Sequence, residues 1–181
     1  MSEGIAPRRM RRKRRARRRV LAAMAMSTGA LLAVAIAPPV PRLMWNGSAS
    51  AALGLYRIEA ADVLGRGDLV LVLPPSSARE LAVARGYLPE GVPLVKRVAG
   101  VAGDEVCAAA GRLHVNGARV AEALAQDSVG RPLVAWDGCR LLERGELVVL
   151  MHDAPGSFDS RYFGPVRQAD VIGRVVPLWT W

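Results

Sequence analysis

Val20 to Pro41 passes without a charged side chain, directly behind ten Lys and Arg residues in the first nineteen positions. A bilayer crossing takes about 20 mostly apolar residues. The run therefore predicts one transmembrane anchor over 20–41, preceded by a basic tail over 1–19, and leaves 42–181 to build the folded body. Ala33, Ala35 and Ala37 are also spaced like the cleavage site of a removable secretory signal. Pro38 argues against cut chains, because a rigid ring without an N–H fits poorly into an extended scissile strand. Basic residues mark the side of the membrane that stays in the cytoplasm. The expected topology is a single-pass protein of the cytoplasmic membrane, with its N-terminus inside and 42–181 in the periplasm or outside.

The net charge of +9 suggests nucleic acid until its distribution is read. The tail holds ten bases against Glu3, which leaves 15 bases and 15 acids in the rest of the chain. A nucleic-acid-binding domain spreads its basic footprint over a folded face. Here the excess sits in a tail without aromatic residues, so a lipid bilayer is the expected partner and nucleic acid is not. No phosphate loop or dinucleotide fingerprint occurs. Two Cys and two His lack the clustered spacing of a zinc site; no cofactor or metal is predicted.

The body reads as short β runs between turn signals. Leu69 to Leu73 is an apolar run that predicts a buried strand, stopped by Pro74-Pro75. Ser77 and Glu80 have capping-box spacing, predicting a short helix from about Ala78 to Arg85 with Gly86 as its left-handed terminator. Leu94 to Val98 predicts a strand, followed by a turn over Gly100 to Asp104. Arg112 to Val120 predicts a hairpin around Asn116-Gly117, since both residues tolerate positive φ. Glu146 to Met151 and Val171 to Val176 complete a mostly β domain with short helices.

Strand alternation places Leu94, Lys96 and Val98 on one face of their strand. An apolar face is a costly place for an ammonium, and burial drives lysine towards its neutral, basic form. The competing reading is an edge lysine that snorkels to water. Nucleophiles for such a base come from two segments. Asn46 to Tyr56 holds Ser48 and Ser50 among small residues, and Ser157 to Gly164 is a dense polar and aromatic cluster. Read alone, the first is a serine-rich linker and the second a turn pairing Asp159 with Arg161.

Together and in order, these three segments resemble the signal peptidase I family, most of all its conjugative-transfer branch of TraF-type peptidases that mature pilin subunits. Asn46, Ser48, Ser50, Gly54 and Tyr56 are similar to that branch's serine box. Leu94 to Val98 with Gly100, Gly103 and Asp104 is similar to its lysine box, and Ser157 to Gly164 to its C-terminal box. Ala52 and Ala102 stand where the pattern has proline. The resemblance implies a signal-peptidase-like β domain and a serine endopeptidase that cuts leader peptides from exported proteins. It implies Ser50 as nucleophile, Lys96 as base, and the Ser48 hydroxyl with the Ser50 N–H as oxyanion donors. Ser157 would orient the lysine amine, and Asp159 with Arg161 would brace the site. The substrate, a preprotein or prepilin, would bind as an extended strand with small side chains near the cut.

The remaining polar residues carry other expectations. His114 shares a face with Arg112 and reads as a solvated hairpin residue, while His152-Asp153 leaves a Ser-His-Asp hydrolase open. Cys107 and Cys139, the only cysteines, are expected to form a disulfide in an exported domain. A general leader peptidase with wider substrates and a non-catalytic anchored assembly factor on the same fold are the alternatives. A self-cleaving Ser-Lys regulator would need a DNA-binding module where the uncharged run stands.

Overall fold

The structure, a computed structural model, describes residues 6–36 and 42–181. The chain divides into two compact units, Met1–Pro41 and Arg42–Trp181. In the first, a single helix α1 (Ala6–Ile36) runs for 31 residues through the junction at position 20. The tail is thus not a separate element from the uncharged run. Ala, Arg, Lys, Met and Leu are all strong helix formers, so both halves favour one backbone conformation. No helix among the described residues is long and apolar enough to cross a membrane. From Val20 to Ile36 the helix rises roughly 25 Å at 1.5 Å per residue, short of a ~30 Å hydrocarbon layer, and Ser27, Thr28 and Gly29 dilute its hydropathy. The rest of the predicted anchor, 37–41, lies outside the described residues.

The second unit is mostly β. Its larger sheet contains β1 (Leu43–Asn46), β2 (Gly54–Glu59), β3 (Leu69–Val72), β4 (Leu94–Gly100), β9 (Glu146–Leu150), β10 (Val166–Arg167) and β11 (Val171–Thr180). They run in the order β1-β2-β11-β3-β4-β9-β10. A smaller sheet holds β5 (Glu105–Ala109), β6 (Arg112–Val115), β7 (Ala118–Glu122) and β8 (Gly138–Leu141), in the order β7-β6-β5-β8. Every pairing is antiparallel.

β9 ties the two sheets together through its alternation. Leu147 and Val149 join Val70, Val72, Leu94 and Val98 in one core, while Val148 and Leu150 join Val106, Leu113 and Val115 in another. A strand buried on both faces needs an unbroken apolar run, which Leu147 to Leu150 supplies. Asn116 and Gly117 take positive φ between β6 and β7, the left-handed pair that closes a tight hairpin.

The helix α2 (Ser76–Ala84) departs from its predicted start. Pro75 is the N-cap and no side chain caps the helix, so the Ser77–Glu80 box is not formed. Proline pre-sets φ at about −65°, and it begins the helix early enough to put Ser77 inside the first turn. Gly86 does take the left-handed terminal position, with φ +70°. A final helical turn, α3 (Ser160–Phe163), follows the loop after β9.

Candidate active site

The serine segment is held by its own first residue. Asn46 ends β1, is buried, and directs its Nδ2 at the carbonyls of Ser48, Ala51 and Ala52 at 3.0, 3.1 and 3.0 Å. Its Oδ1 accepts the Ser48 N–H at 3.1 Å. The buried Tyr56 donates its hydroxyl to the Ala52 carbonyl at 2.7 Å. At Gly54, φ is +140° and a side chain would collide with the Trp179 carbonyl of β11. The loop 47–53 is therefore folded around one amide and one phenol, and the strand that follows it can pair with the end of β11 only with glycine at position 54. Sequence reasoning placed Asn46 and Tyr56 in the pattern without giving either a task.

Within this loop the Ser50 N–H donates to the Ser48 hydroxyl oxygen at 3.3 Å, so the two expected oxyanion donors are neighbours. Ser50 is half-buried and borders a depression with Tyr56, Arg97, Met151 and Asp153. Ser48 borders two further cavities, of about 380 and 540 Å³, which Lys96 also lines. No hydrogen bond joins Ser50 Oγ and Lys96 Nζ among the described residues. Catalytic contacts are often long before substrate arrives.

Lys96 sits mid-strand on β4, opposite Val70 of β3, on the face it shares with Leu94 and Val98. It does not snorkel: only 2% of it is exposed. Burial pulls its ammonium down from the ordinary 10.5 to about 8; the Asp159 carboxylate resists this and the Arg161 guanidinium assists it. Its Nζ donates to Ser157 Oγ at 2.6 Å.

Ser157 is in turn fixed by a buried ion pair. Arg161 Nε and Nη2 bind the two Asp159 oxygens at 2.8 and 2.7 Å, and both side chains are almost wholly buried. The remaining guanidinium donors reach the carbonyls of Pro155, Ala154 and Ser157 at 2.8, 2.9 and 3.2 Å. Asp159 also accepts the Met151 and Arg161 N–H groups, the latter capping α3. The loop 151–159 is thus wrapped around one guanidinium, which sets where the Ser157 hydroxyl lies.

The histidines lie elsewhere. His152 is exposed with Nδ1 3.0 Å from the Val120 carbonyl, and no hydrogen bond links it to Ser50 among the described residues. His114 is half-buried on β6, opposite Cys107. Cys107 of β5 and Cys139 of β8 face each other in register and form a disulfide. Glu105 lies beside them, and this trio is close enough to hold a metal. Both sulfurs are already spent in the bridge, however, so they offer no thiolate.

A buried, hydroxyl-bound lysine beside a serine-bearing loop and a cleft is a candidate pairing of base and nucleophile. The signal peptidase family, peptidase S26, matches residues 14–181. The chain is 38% identical over 146 residues to a probable conjugal transfer protein TraF of Sinorhizobium fredii, covering 75% of this chain and 76% of that protein. It is 33% identical over 168 residues to a plasmid transfer protein TraF of Escherichia coli, covering 87% and 94%. It is 32% identical over 95 residues to signal peptidase I V of Bacillus subtilis, covering 47% and 56%. With the family matched along nearly its whole length, the chain belongs to the signal peptidases of the peptidase S26 family.

Proposed function

We propose that this protein is a serine endopeptidase that removes leader peptides from exported proteins, in particular from pilin or other conjugative-transfer subunits. One observation carries the reading: Lys96 is buried, its pKa drawn down to about 8 by that burial, and it is bound to Ser157 at the edge of the cleft that Ser48 lines. The names of the TraF relatives support the conjugative setting.

In this mechanism neutral Lys96 takes the Ser50 hydroxyl proton while Ser50 Oγ attacks the scissile carbonyl. The Ser50 N–H and the Ser48 hydroxyl, turned from each other towards substrate, hold the developing oxyanion. The lysine proton passes to the leaving amine, and an acyl-enzyme on Ser50 remains. Lys96 then deprotonates a water that attacks the ester, and the returned proton restores Ser50. Ser157 keeps the amine aimed, and Asp159 with Arg161 keeps Ser157 in place.

The working site is the outer face of the cytoplasmic membrane. The charge asymmetry of α1 supports this, with its uncharged run continuing to Pro41. So does an exposed aromatic group on the body, where Trp45 and Trp179 each lie within 5.4 Å of Trp181. Tryptophan is favoured at membrane interfaces because its ring is amphipathic.

The missing Ser50–Lys96 hydrogen bond favours one other reading, a non-catalytic assembly factor. Cleavage of a purified leader-bearing substrate by the full-length protein in detergent decides between them. Loss of cleavage in a folded Ser50→Ala variant is the expected result; full activity would move the nucleophile elsewhere, and an inert wild type would favour the scaffold.

A further inference from the structure

Two consecutive residues of β4 serve two different hollows. Lys96 and Arg97 leave the strand on opposite faces, as neighbours in a strand must. Lys96 lines the two cavities that Ser48 also borders. Arg97 lines the depression of about 640 Å³ that Ser50 borders, together with Tyr56, Leu69 and Asp153. The serine loop therefore touches hollows belonging to both faces of β4.

Arg97 stands in its depression as a fixed cation without an anion of its own. Its Nη1 donates to the Gly67 carbonyl at 2.6 Å, on the turn that leads into β3. The rest of the guanidinium is exposed. Elsewhere in the body Glu59, Asp104, Asp127 and Glu146 each hold an arginine. Among the described residues no carboxylate lies within ion-pair distance of Arg97. Asp153 faces the same depression from the loop after β9, exposed and likewise without an ion pair among the described residues. A guanidinium stays charged and matches a carboxylate with two parallel bonds. One that the backbone already holds in place binds such a group at a lower ordering cost.

We propose that Arg97 is a specificity-determining residue, which pairs with an aspartate or glutamate side chain of the exported protein within about three residues of the cut. The inference rests on the peptidase reading and adds to it. An extended chain crossing the serine loop lays one flank over the cavities that Lys96 lines and the other over this depression. At about 3.3 Å per residue, with side chains alternating between faces, only one or two positions of that second flank can aim at the guanidinium. Asp153 narrows the choice further, because an acid displaced towards it meets a like charge.

The test measures binding to full-length Ser50→Ala protein in detergent at low salt. The probe is a neutral, alanine-rich synthetic peptide with one glutamate or one lysine placed at each position in turn. Glutamate at one or two positions should tighten binding about three- to fivefold over the neutral peptide, the size a partly exposed ion pair supports, and lysine should not. At about 1 M salt, where screening acts within ~3 Å, the preference should shrink. Arg97→Gln should abolish it, Arg97→Lys should keep part of it, and Arg97→Glu should transfer it to the lysine peptides. Arg144→Gln, at an exposed arginine outside both hollows, should leave it intact. Should the Arg97 variants unfold, Asp153→Asn gives an independent reading and should raise the preference for glutamate. Equal binding of all peptides, binding of none, a preference of the Ser50→Ala protein for lysine, or a glutamate preference that survives in folded Arg97→Gln would overturn the proposal. Cleavage by the protein with Ser50 intact is scored separately. Its products place the preferred acid relative to the cut, and an acid more than about three residues away would also overturn the proposal. Peptides that bind with the stated preference and are never cut would sink the peptidase reading and leave the pairing with Arg97 standing.

Discussion

Lys96 ties stability to pH in a direction that can be measured. In the unfolded chain its amine titrates near 10.4 and in the folded protein near 8. Between those values the unfolded chain holds the extra proton, so stability rises with pH. Below about pH 8 the fold bears the whole cost of a buried ammonium, on the order of 3 kcal/mol for such a shift. Lys96→Met should therefore stabilise the protein at pH 7 by about 1–2 kcal/mol, after allowing for the Ser157 hydroxyl left without its partner. The gain should vanish by pH 10.5, and denaturant unfolding at the two pH values reads the difference. A second residue-scale outcome concerns Asn46. Asn46→Asp keeps an acceptor for the Ser48 N–H but turns an anion towards three carbonyls. It should lower kcat by about tenfold or more and destabilise by about 1–3 kcal/mol. The face of Lys96 was legible because strand alternation needs only the neighbouring residues. The task of Asn46 was not, since its amide acts on carbonyls that come near only when the loop closes.

Among elements, the loop 151–159 and α3 depend on a single ion pair. Removing one partner of a buried pair leaves the other charge uncompensated, at about 3–5 kcal/mol. Asp159→Ala should lose that much in denaturant unfolding and should release Ser157 along with the loop. The β5–β8 disulfide joins residues 32 apart in sequence. Closing a loop of that size contributes about 3–4 kcal/mol. Alkylation of the unreduced, denatured protein should find no thiol, and two reactive cysteines would show the bridge absent in the cell. The hairpin at Asn116-Gly117 could be read directly because its two residues encode the turn. β1 was harder to read, because four residues, Leu-Met-Trp-Asn, are too few for alternation to show, and the alternating Tyr56-Arg57-Ile58-Glu59 of β2 finds its partners in β1 and β11, the latter more than 110 residues further along the chain. The hydrogen bond from Tyr87 to Asp127 was equally out of reach, since it joins segments 40 residues apart.

At the scale of the whole molecule, the order of the serine, lysine and C-terminal segments was informative where each segment alone was not. The lysine and C-terminal segments meet at the 2.6 Å contact between Lys96 and Ser157, a pair 61 residues apart. The N-terminal helix was partly legible: its uncharged run stood out, but its continuity with the basic tail came from shared helix propensity rather than from any break in composition. A periplasmic reporter fused after Trp181 should be active, and one active only in the cytoplasm would reverse the proposed topology. The central claim is that a neutral Lys96 activates Ser50. It is tested most directly by the pH dependence of leader cleavage by the full-length protein, compared with Lys96→Arg and His152→Ala. The wild-type rate should climb through pH 8 to an alkaline optimum, and His152→Ala should keep most of it. Lys96→Arg should be inactive across the series, because a guanidinium stays protonated. An active Lys96→Arg protein, or a folded His152→Ala protein without activity, would contradict the account.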